Sequence, residues 1–431
     1  MPTILIKNAR VLAGENRLIK QDVLIKNTYI KQVADTITVS ADQVIDAENA
    51  LLLPGLIDVH VHFREPGFAE KETVVSGSKA AARGGFTTVL AMPNVNPVVD
   101  NPDVLRQMLA LNQRDGIVKI HQYAAISAGL DSDHVDDLDA LAQAGAVAFT
   151  NDGKGVQTAD TMYEAMKAAA RLGKVLVAHV EDDSLIHGGV MNAGPAADAL
   201  GLPGANKLSE SSQLARDLVI AQATGVRYHV AHVSTAESVA LIRIAKKEGV
   251  HVTAEVSPHH LLLDDGMITK DDAMMKMNPP LRSPHDRAAL IAGLLDGTID
   301  MVATDHAPHT AAEKAQGMLK APNGVTGIET SFQLLYTHFV KSGVMSLRRL
   351  LQVMNQAPAA AFSLSDAAVK VAAGQKADLA LFDIDHPHVI SKDEFASKAS
   401  NSPFIGWEIY GQTQATWVNG RQVYAAERSQ A

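Results

Sequence analysis

The chain is predicted to be an α/β protein, a (β/α)8 TIM-like barrel with a small β-sandwich domain built from both chain termini. Three observations predict this. From residue 54 to about residue 355, short apolar strand-like stretches alternate with helix-like ones, eight strands in all. Both flanks instead read as short strands joined by polar turns, with no helical period. The histidines and acids suited to chemistry gather at the C-terminal ends of the central strands, where a barrel of this kind places its active site.

In chain order, Ile4-Leu5-Ile6, Val23-Leu24-Ile25 to Tyr29-Ile30, and Val44-Ile45-Asp46 are strand candidates, with hairpin-like links such as Lys26-Asn27-Thr28. The far end resembles them, over 377–383 and 415–424. Residues 1–53 plus 360–431 are therefore expected to form one composite β domain, interrupted by a (β/α)8 barrel domain over 54–359. The barrel strands are expected at 56–62, 87–92, 119–125, 146–150, 175–179, 228–233, 251–256 and 299–304. Helical stretches such as 73–83, 104–113, 159–171, 211–223 and 236–247 lie between them, each ending near Gly or a polar turn. No repeat of solenoid length and no low-complexity linker interrupts the pattern.

Composition narrows the function. The 431 residues carry a formal charge of −10 at pH 7 and no basic run, which argues against nucleic acid as the main partner. No apolar run approaches a membrane span, and the N-terminus shows no basic region followed by an apolar run of about 7–15 residues, so the cytoplasm is the expected location. With no cysteine, disulfides and thiolate chemistry are excluded. His, Asp, Glu and a modified Lys are left as the strong metal ligands.

The organising stretch is Gly55-Leu56-Ile57-Asp58-Val59-His60-Val61-His62-Phe63-Arg64-Glu65-Pro66-Gly67. On a strand, Asp58, His60 and His62 share one face while Ile57, Val59 and Val61 share the other. Two neighbouring imidazoles can close on one metal ion, or they can be a hydrogen-bonded, partly exposed pair. Arg64 just beyond them favours the metal, because a guanidinium beside metal-binding histidines is costly unless an anion meets it. Asn94, Asp152, His179, His232 and Asp305 follow or end later strands and point to the same mouth. Taken singly, Asp152 reads equally as a turn residue and His179 or His232 as a satisfied core histidine. Their joint placement favours a site.

These residues resemble the amidohydrolase superfamily, and within it the bacterial class I dihydroorotases. The likeness rests on Pro54 to Gly67, Met92-Pro93-Asn94, Phe149-Thr150-Asn151-Asp152-Gly153, Ala178-His179, Ala231-His232-Val233-Ser234, Ser257-Pro258-His259-His260, Asn278-Pro279-Pro280-Leu281-Arg282, Ala303-Thr304-Asp305-His306-Ala307-Pro308-His309 and Ala321-Pro322-Asn323-Gly324, in that order over nearly the whole chain. The resemblance implies two Zn2+ per subunit. His60, His62 and Asp305 would hold one, His179 and His232 the other, with Asp152 bridging them where many relatives use a carboxylated lysine. It implies that the metals activate a water, that Asp305 is the catalytic proton carrier, and that His62, Arg64, Asn94, Asn278, His309, Asn323 and Gly324 bind the substrate. Arg64, Asn94 and His309 would hold its carboxylate. The reaction implied is the reversible, zinc-dependent cyclisation of N-carbamoyl-L-aspartate to L-dihydroorotate plus water in pyrimidine (UMP) biosynthesis.

Other residues receive smaller expectations. Lys154 is a second place to look for a carboxylated lysine, against its ordinary reading as a loop charge. His259 and His260 are read as supporting or packing residues, and Asp58 as orienting a histidine. The stretch from His309 to Pro322 shows no clear periodicity and is expected to be a mobile loop over the mouth. The sequence leaves the oligomeric state open: a homodimer follows only from the frequency of two-fold symmetry among soluble oligomers, and association with aspartate transcarbamoylase stands beside it as an alternative. Two rivals stand beside this reading. One is a hydantoinase, dihydropyrimidinase or allantoinase, which would usually show the bridging lysine and needs no arginine after the His-Val-His pair. The other is an inactive dihydroorotase-like scaffold, which would have lost metal ligands.

Overall fold

In the computed structural model, which describes residues 3–427, eight parallel strands close into a barrel. They are β1 (Leu56–Val61), β2 (Phe86–Ala91), β3 (Lys119–Gln122), β4 (Phe149–Thr150), β5 (Val175–Ala178), β6 (Arg227–Val230), β7 (Val252–Val256) and β8 (Met301–Val302). Neighbours in sequence are neighbours in the barrel: β1 to β3 form one run and β4 to β8 another. Bridges Ala124↔Phe149 and Val61↔His306 close the two seams. Met1, Pro2 and residues 428–431, the outermost ends of the expected β domain, lie outside the described residues.

Several strands stop short of the expected ends. β1 ends at Val61, β5 at Ala178 and β6 at Val230, so that His62, His179 and His232 lie just beyond the ladder. His232 and Asp305 have φ of 30° and 47°, a left-handed conformation that L-residues adopt only when the surroundings hold them there. Strain of this kind concentrates at functional sites. Gly55, immediately before β1, serves close approach instead: a Cβ there would lie 2.1 Å from the Thr87 side chain of β2.

The two-residue alternation expected along β1 is not kept. Its register against β2 shifts between Asp58 and Val61. Ile57 and Val59 join a cluster with Leu90, Met92, Val175, Val177, Ala231 and Met301, contributed from around the barrel and therefore inside it. Val61 packs instead with Val89, Ala91 and the helix layer. A bulge re-aims side chains in this way, and here it brings Val59 and the site-facing His60 into the interior together.

Helix ends follow local chemistry. Thr73 and Ser76 form a capping box for the helix Val74–Arg83, Asn101 caps Pro102–Asp115 with proline in its first turn, and Ser283 and Asp286 box the start of Pro284–Asp296.

Strands from the two termini make the expected composite β domain, its eight strands joined in one hydrogen-bonded sheet. Leu51–Pro54 is the reason: it pairs with Thr3–Leu12 on one side and with Leu379–Asp383 on the other, which joins the N- and C-terminal strands edge to edge. Ile4, Ile6, Val23, Ile25, Leu52, Leu379, Leu381 and Trp417 gather into its core. A part-buried Lys119–Asp378 ion pair of 2.7 Å ties the sheet to β3.

The stretch from His309 to Pro322 is structured and is not the featureless loop expected. It contains two short helices, Ala311–Lys314 and Gly317–Lys320. A Thr310/Glu313 capping box starts the first, and Met318 is fully buried. Each helix is too short to show periodicity in the sequence. No helix among the described residues is long and apolar enough to cross a membrane.

Candidate active site

At the C-terminal mouth of the barrel, His62, Arg64, Asn94, Asp152, His179, His232, Asn278, Asp305, His309, Asn323 and Gly324 line one cavity, together with Gly153 and Ala307. His60 lies buried beside it. Every residue singled out for the site in the sequence is thus brought to one place.

Four imidazoles converge on two carboxylates. His60 Nε2 lies 3.3 Å from Asp152 and 3.4 Å from Asp305, and His62 Nε2 lies 3.4 Å and 3.0 Å from the same two. On the other side of Asp152, His232 Nε2 is at 3.6 Å and His179 Nδ1 at 3.8 Å. All six residues are buried. Burial works against charge on Asp152, yet the surrounding His60, His179 and His232 rings hold its carboxyl well below the usual range.

Hydrogen bonds at the far side of the rings set which nitrogen faces the centre. His60 Nδ1 donates to Glu255 Oε1 at 2.6 Å, leaving its Nε2 lone pair for the cluster. His62 Nδ1 donates to Asn94 Oδ1 at 2.9 Å with the same result. Glu255 also meets His229 Nε2 at 3.0 Å, and burial, which opposes its charge, is outweighed by His60 and His229, which bring its pKa to about 2.

Asp58 does not reach an imidazole ring. Its carboxylate accepts from the backbone N–H of His60 and of Thr304, each at 3.1 Å, and so ties β1 to the chain after β8, while burial raises its pKa to about 6. The ring-orienting acid is Glu255, which the sequence reading missed. No motif marks it, and its partner His60 is 195 residues away.

The donor set suits a first-row divalent metal, with imidazole and carboxylate and no thiolate. Two triads, His60/Asp152/His232 and His60/His62/Asp305, have ligand atoms within 4.8 Å of one another. His60 Nε2, Asp152 Oδ1 and His232 Nδ1 are buried without a hydrogen-bond partner among the described residues, which is costly unless a cation meets the acceptors among them. His179 Nδ1 and His232 Nε2, 2.9 Å apart, likewise need a proton or a cation between two lone pairs. The residues fit a metal centre. Lys154 is exposed, and Ser257 holds His259 and His260 at 2.8 Å and 2.6 Å, outside both triads.

Beside this centre the cavity wall is cationic. Arg64 donates to Pro308 O at 3.3 Å, its Nη2 lies 3.3 Å from His309 Nε2, and no carboxylate among the described residues lies at ion-pair distance from it. Burial lowers its pKa to about 10, against the pull of Asp305 and Asp152. Burial and then Arg64 push His309 to about 3, so its ring is neutral and donates Nε2–H to Asn323 O at 2.8 Å. Asn278 Nδ2 donates to Glu181 at 2.7 Å on the opposite wall. Gly324 has φ 129°, and a Cβ there would lie 2.5 Å from Ala307 Cβ and 3.2 Å from His309 Nε2. Gly324→Ala is therefore expected to displace His309 and to raise KM for an anionic substrate about tenfold, as steady-state kinetics would show.

Comparison with known proteins agrees with this geometry. The family model described as Dihydro-orotase-like matches residues 49–238. A dihydroorotase of Pediococcus pentosaceus is 54% identical over 424 residues, covering 98% of this chain and 99% of that protein. One of Ligilactobacillus salivarius is 54% identical over 426 residues with the same coverage. Among solved structures, the L-hydantoinase (dihydropyrimidinase) of Arthrobacter aurescens superimposes with a TM-score of 0.88 at 27% identity, over 99% of this chain and 96% of that one.

Proposed function

The chain belongs to the dihydroorotase family of cyclic-amide hydrolases, and from that premise we propose that it interconverts L-dihydroorotate and N-carbamoyl-L-aspartate at the barrel mouth. The observation that carries the reading is the meeting, in one cavity, of a buried four-imidazole, two-carboxylate cluster with an arginine that has no carboxylate partner among the described residues. The first suits metal-assisted hydrolysis. The second suits a substrate that brings its own carboxylate.

His60, His62 and Asp305 would hold one Zn2+, His179 and His232 a second, with Asp152 between them. When bound, the metal pair supplies a water acidified to about pKa 7 and polarises the carbonyl under attack. The rest falls to the chain. Arg64 and Asn94 hold the substrate carboxylate with neutral His309, Asn278 contacts the ring, and the Asn323–Gly324 backbone closes over it. In hydrolysis the water oxygen bonds to the ring carbonyl carbon and the ring C–N bond breaks. Asp305 takes one water proton and delivers it to the departing nitrogen, and the other is released to solvent as the new carboxyl group ionises. Ring closure runs the same steps in reverse and releases water. Both substrates are small soluble anions, and the reading places the enzyme in the cytoplasm.

Metal removal tests the centre. Dialysis against a chelator is expected to abolish turnover, and zinc titration to restore it with an end point at two equivalents per chain; full activity in the stripped protein would contradict the reading. Glu255→Gln keeps the size of the His60 partner but removes its charge. Zinc affinity is expected to fall about 10–100-fold, measured by competition with a chromophoric chelator.

The hydantoinase reading has one supporting observation, the structural likeness to the Arthrobacter enzyme at 27% identity. Arg64 and the aspartate at position 152 favour dihydroorotate over rings without a carboxylate.

A further inference from the structure

Lys314 is buried, 3% exposed, on a helix of only four residues at the cavity rim. It faces no carboxylate at ion-pair distance among the described residues. Its Nζ donates to three backbone carbonyls: Gly324 O at 2.9 Å, Lys276 O at 3.2 Å and Pro322 O at 3.2 Å. An ammonium has three N–H donors and no acceptor, so three carbonyls saturate it.

The three carbonyls lie on segments that carry the cavity wall. Lys276 is two residues before Asn278, Pro322 and Gly324 flank Asn323, and Lys314 itself follows His309 on the first helix after β8. Two further contacts close the arrangement: Gly324 N donates to Lys276 O at 3.1 Å, and Asn401 Nδ2 to Gly324 O at 3.1 Å. A buried charge without a counter-ion is expensive, and packing alone would be served better by an apolar chain. Here the charge orients carbonyls.

We propose that Lys314 is a positioning residue, whose ammonium holds the 276–278 segment and the 322–324 lip in the spacing that the substrate carboxylate and ring require. The inference rests on the proposed role of Asn278, His309, Asn323 and Gly324 in substrate binding. It makes binding depend on the protonation of a group remote from the metal cluster. Burial, reinforced by the Lys276 ammonium, brings the Lys314 pKa to about 7, while Asp272 and Glu313 act in the opposite direction. A neutral amine offers two N–H donors and turns a lone pair toward the third carbonyl, so the lip loosens as pH rises through that range.

The test uses full-length, zinc-loaded Lys314→Met and wild-type protein. Expected in the variant are a KM for dihydroorotate raised about tenfold or more, kcat within about threefold, unchanged zinc content, and faster hydrogen exchange at the Gly324 amide. A rise of KM with alkaline pH is expected in wild type and not in the variant. If Lys314→Met does not fold, Lys314→Gln, which keeps two N–H donors, carries the same comparison. KM within twofold of wild type, or a loss of zinc that accounts for the whole defect, would overturn the proposal. If wild type fails to turn over dihydroorotate while exchange at Gly324 still rises in the variant, the substrate reading falls and the positioning role stands.

Discussion

Asp305→Ala is expected to lower kcat for dihydroorotate hydrolysis by about three orders of magnitude or more, with the protein still folded. Two effects combine. The Asp305 carboxylate lies 3.0 Å from His62 Nε2 and 3.4 Å from His60 Nε2, so its loss removes a proposed metal ligand from one triad. It also removes the group proposed to carry the proton from water to the leaving nitrogen. Asp305→Asn separates them, since an amide keeps the shape and an acceptor oxygen but cannot carry a proton. Zinc content near wild type with turnover still down about a hundredfold or more would assign that part of the loss to proton transfer. Activity within tenfold of wild type in both variants would remove Asp305 from the role.

Arg64→Met is expected to lower kcat/KM for dihydroorotate by about a hundredfold, as hydrogen bonds to a charged group are worth about 1.5–3 kcal/mol each way of counting. Dihydrouracil has the same ring without the carboxylate, and its slow turnover should change much less. Equal losses on both rings would mean that the substitution had damaged the metal centre, since His62 is only two residues away.

Much of the site was legible in the sequence because ligand-type residues recur just where barrel strands end. His60, His62, Asp152, His179, His232 and Asp305 are spread from residue 60 to residue 305, and the eightfold alternation of strand and helix is what converts that spread into one mouth. Residues that act on these six were harder to see. Glu255 sits mid-strand with no motif around it and matters only because β7 carries it across the barrel interior to His60. Asn401 comes from the C-terminal segment, yet it holds His309 N at 3.1 Å and both the Ala307 and Gly324 carbonyls. Nothing local announces that reach.

The bulge in β1 was hidden for a different reason. Alternation in Ile57-Asp58-Val59-His60-Val61-His62 is perfect on paper, and only pairing with β2 shows that Val59 and Val61 part company. The rim segment after His309 did carry a signal, the Thr310/Glu313 capping box. Helices of one turn leave no period to read, and the ion pair of Lys71 with Glu313 at 2.7 Å that steadies the first of them is a tertiary contact.

The central claim is that one cavity joins a metal-dependent hydrolytic centre to a clamp for a substrate carboxylate. Its most direct test is ultraviolet-monitored hydrolysis of L-dihydroorotate by zinc-loaded protein, with a chelated control and with hydantoin, dihydrouracil and allantoin in parallel. Metal-dependent turnover of dihydroorotate, far exceeding that of the uncharged rings, is the expected result. Comparable turnover of the uncharged rings, or none of dihydroorotate with zinc bound, would contradict it.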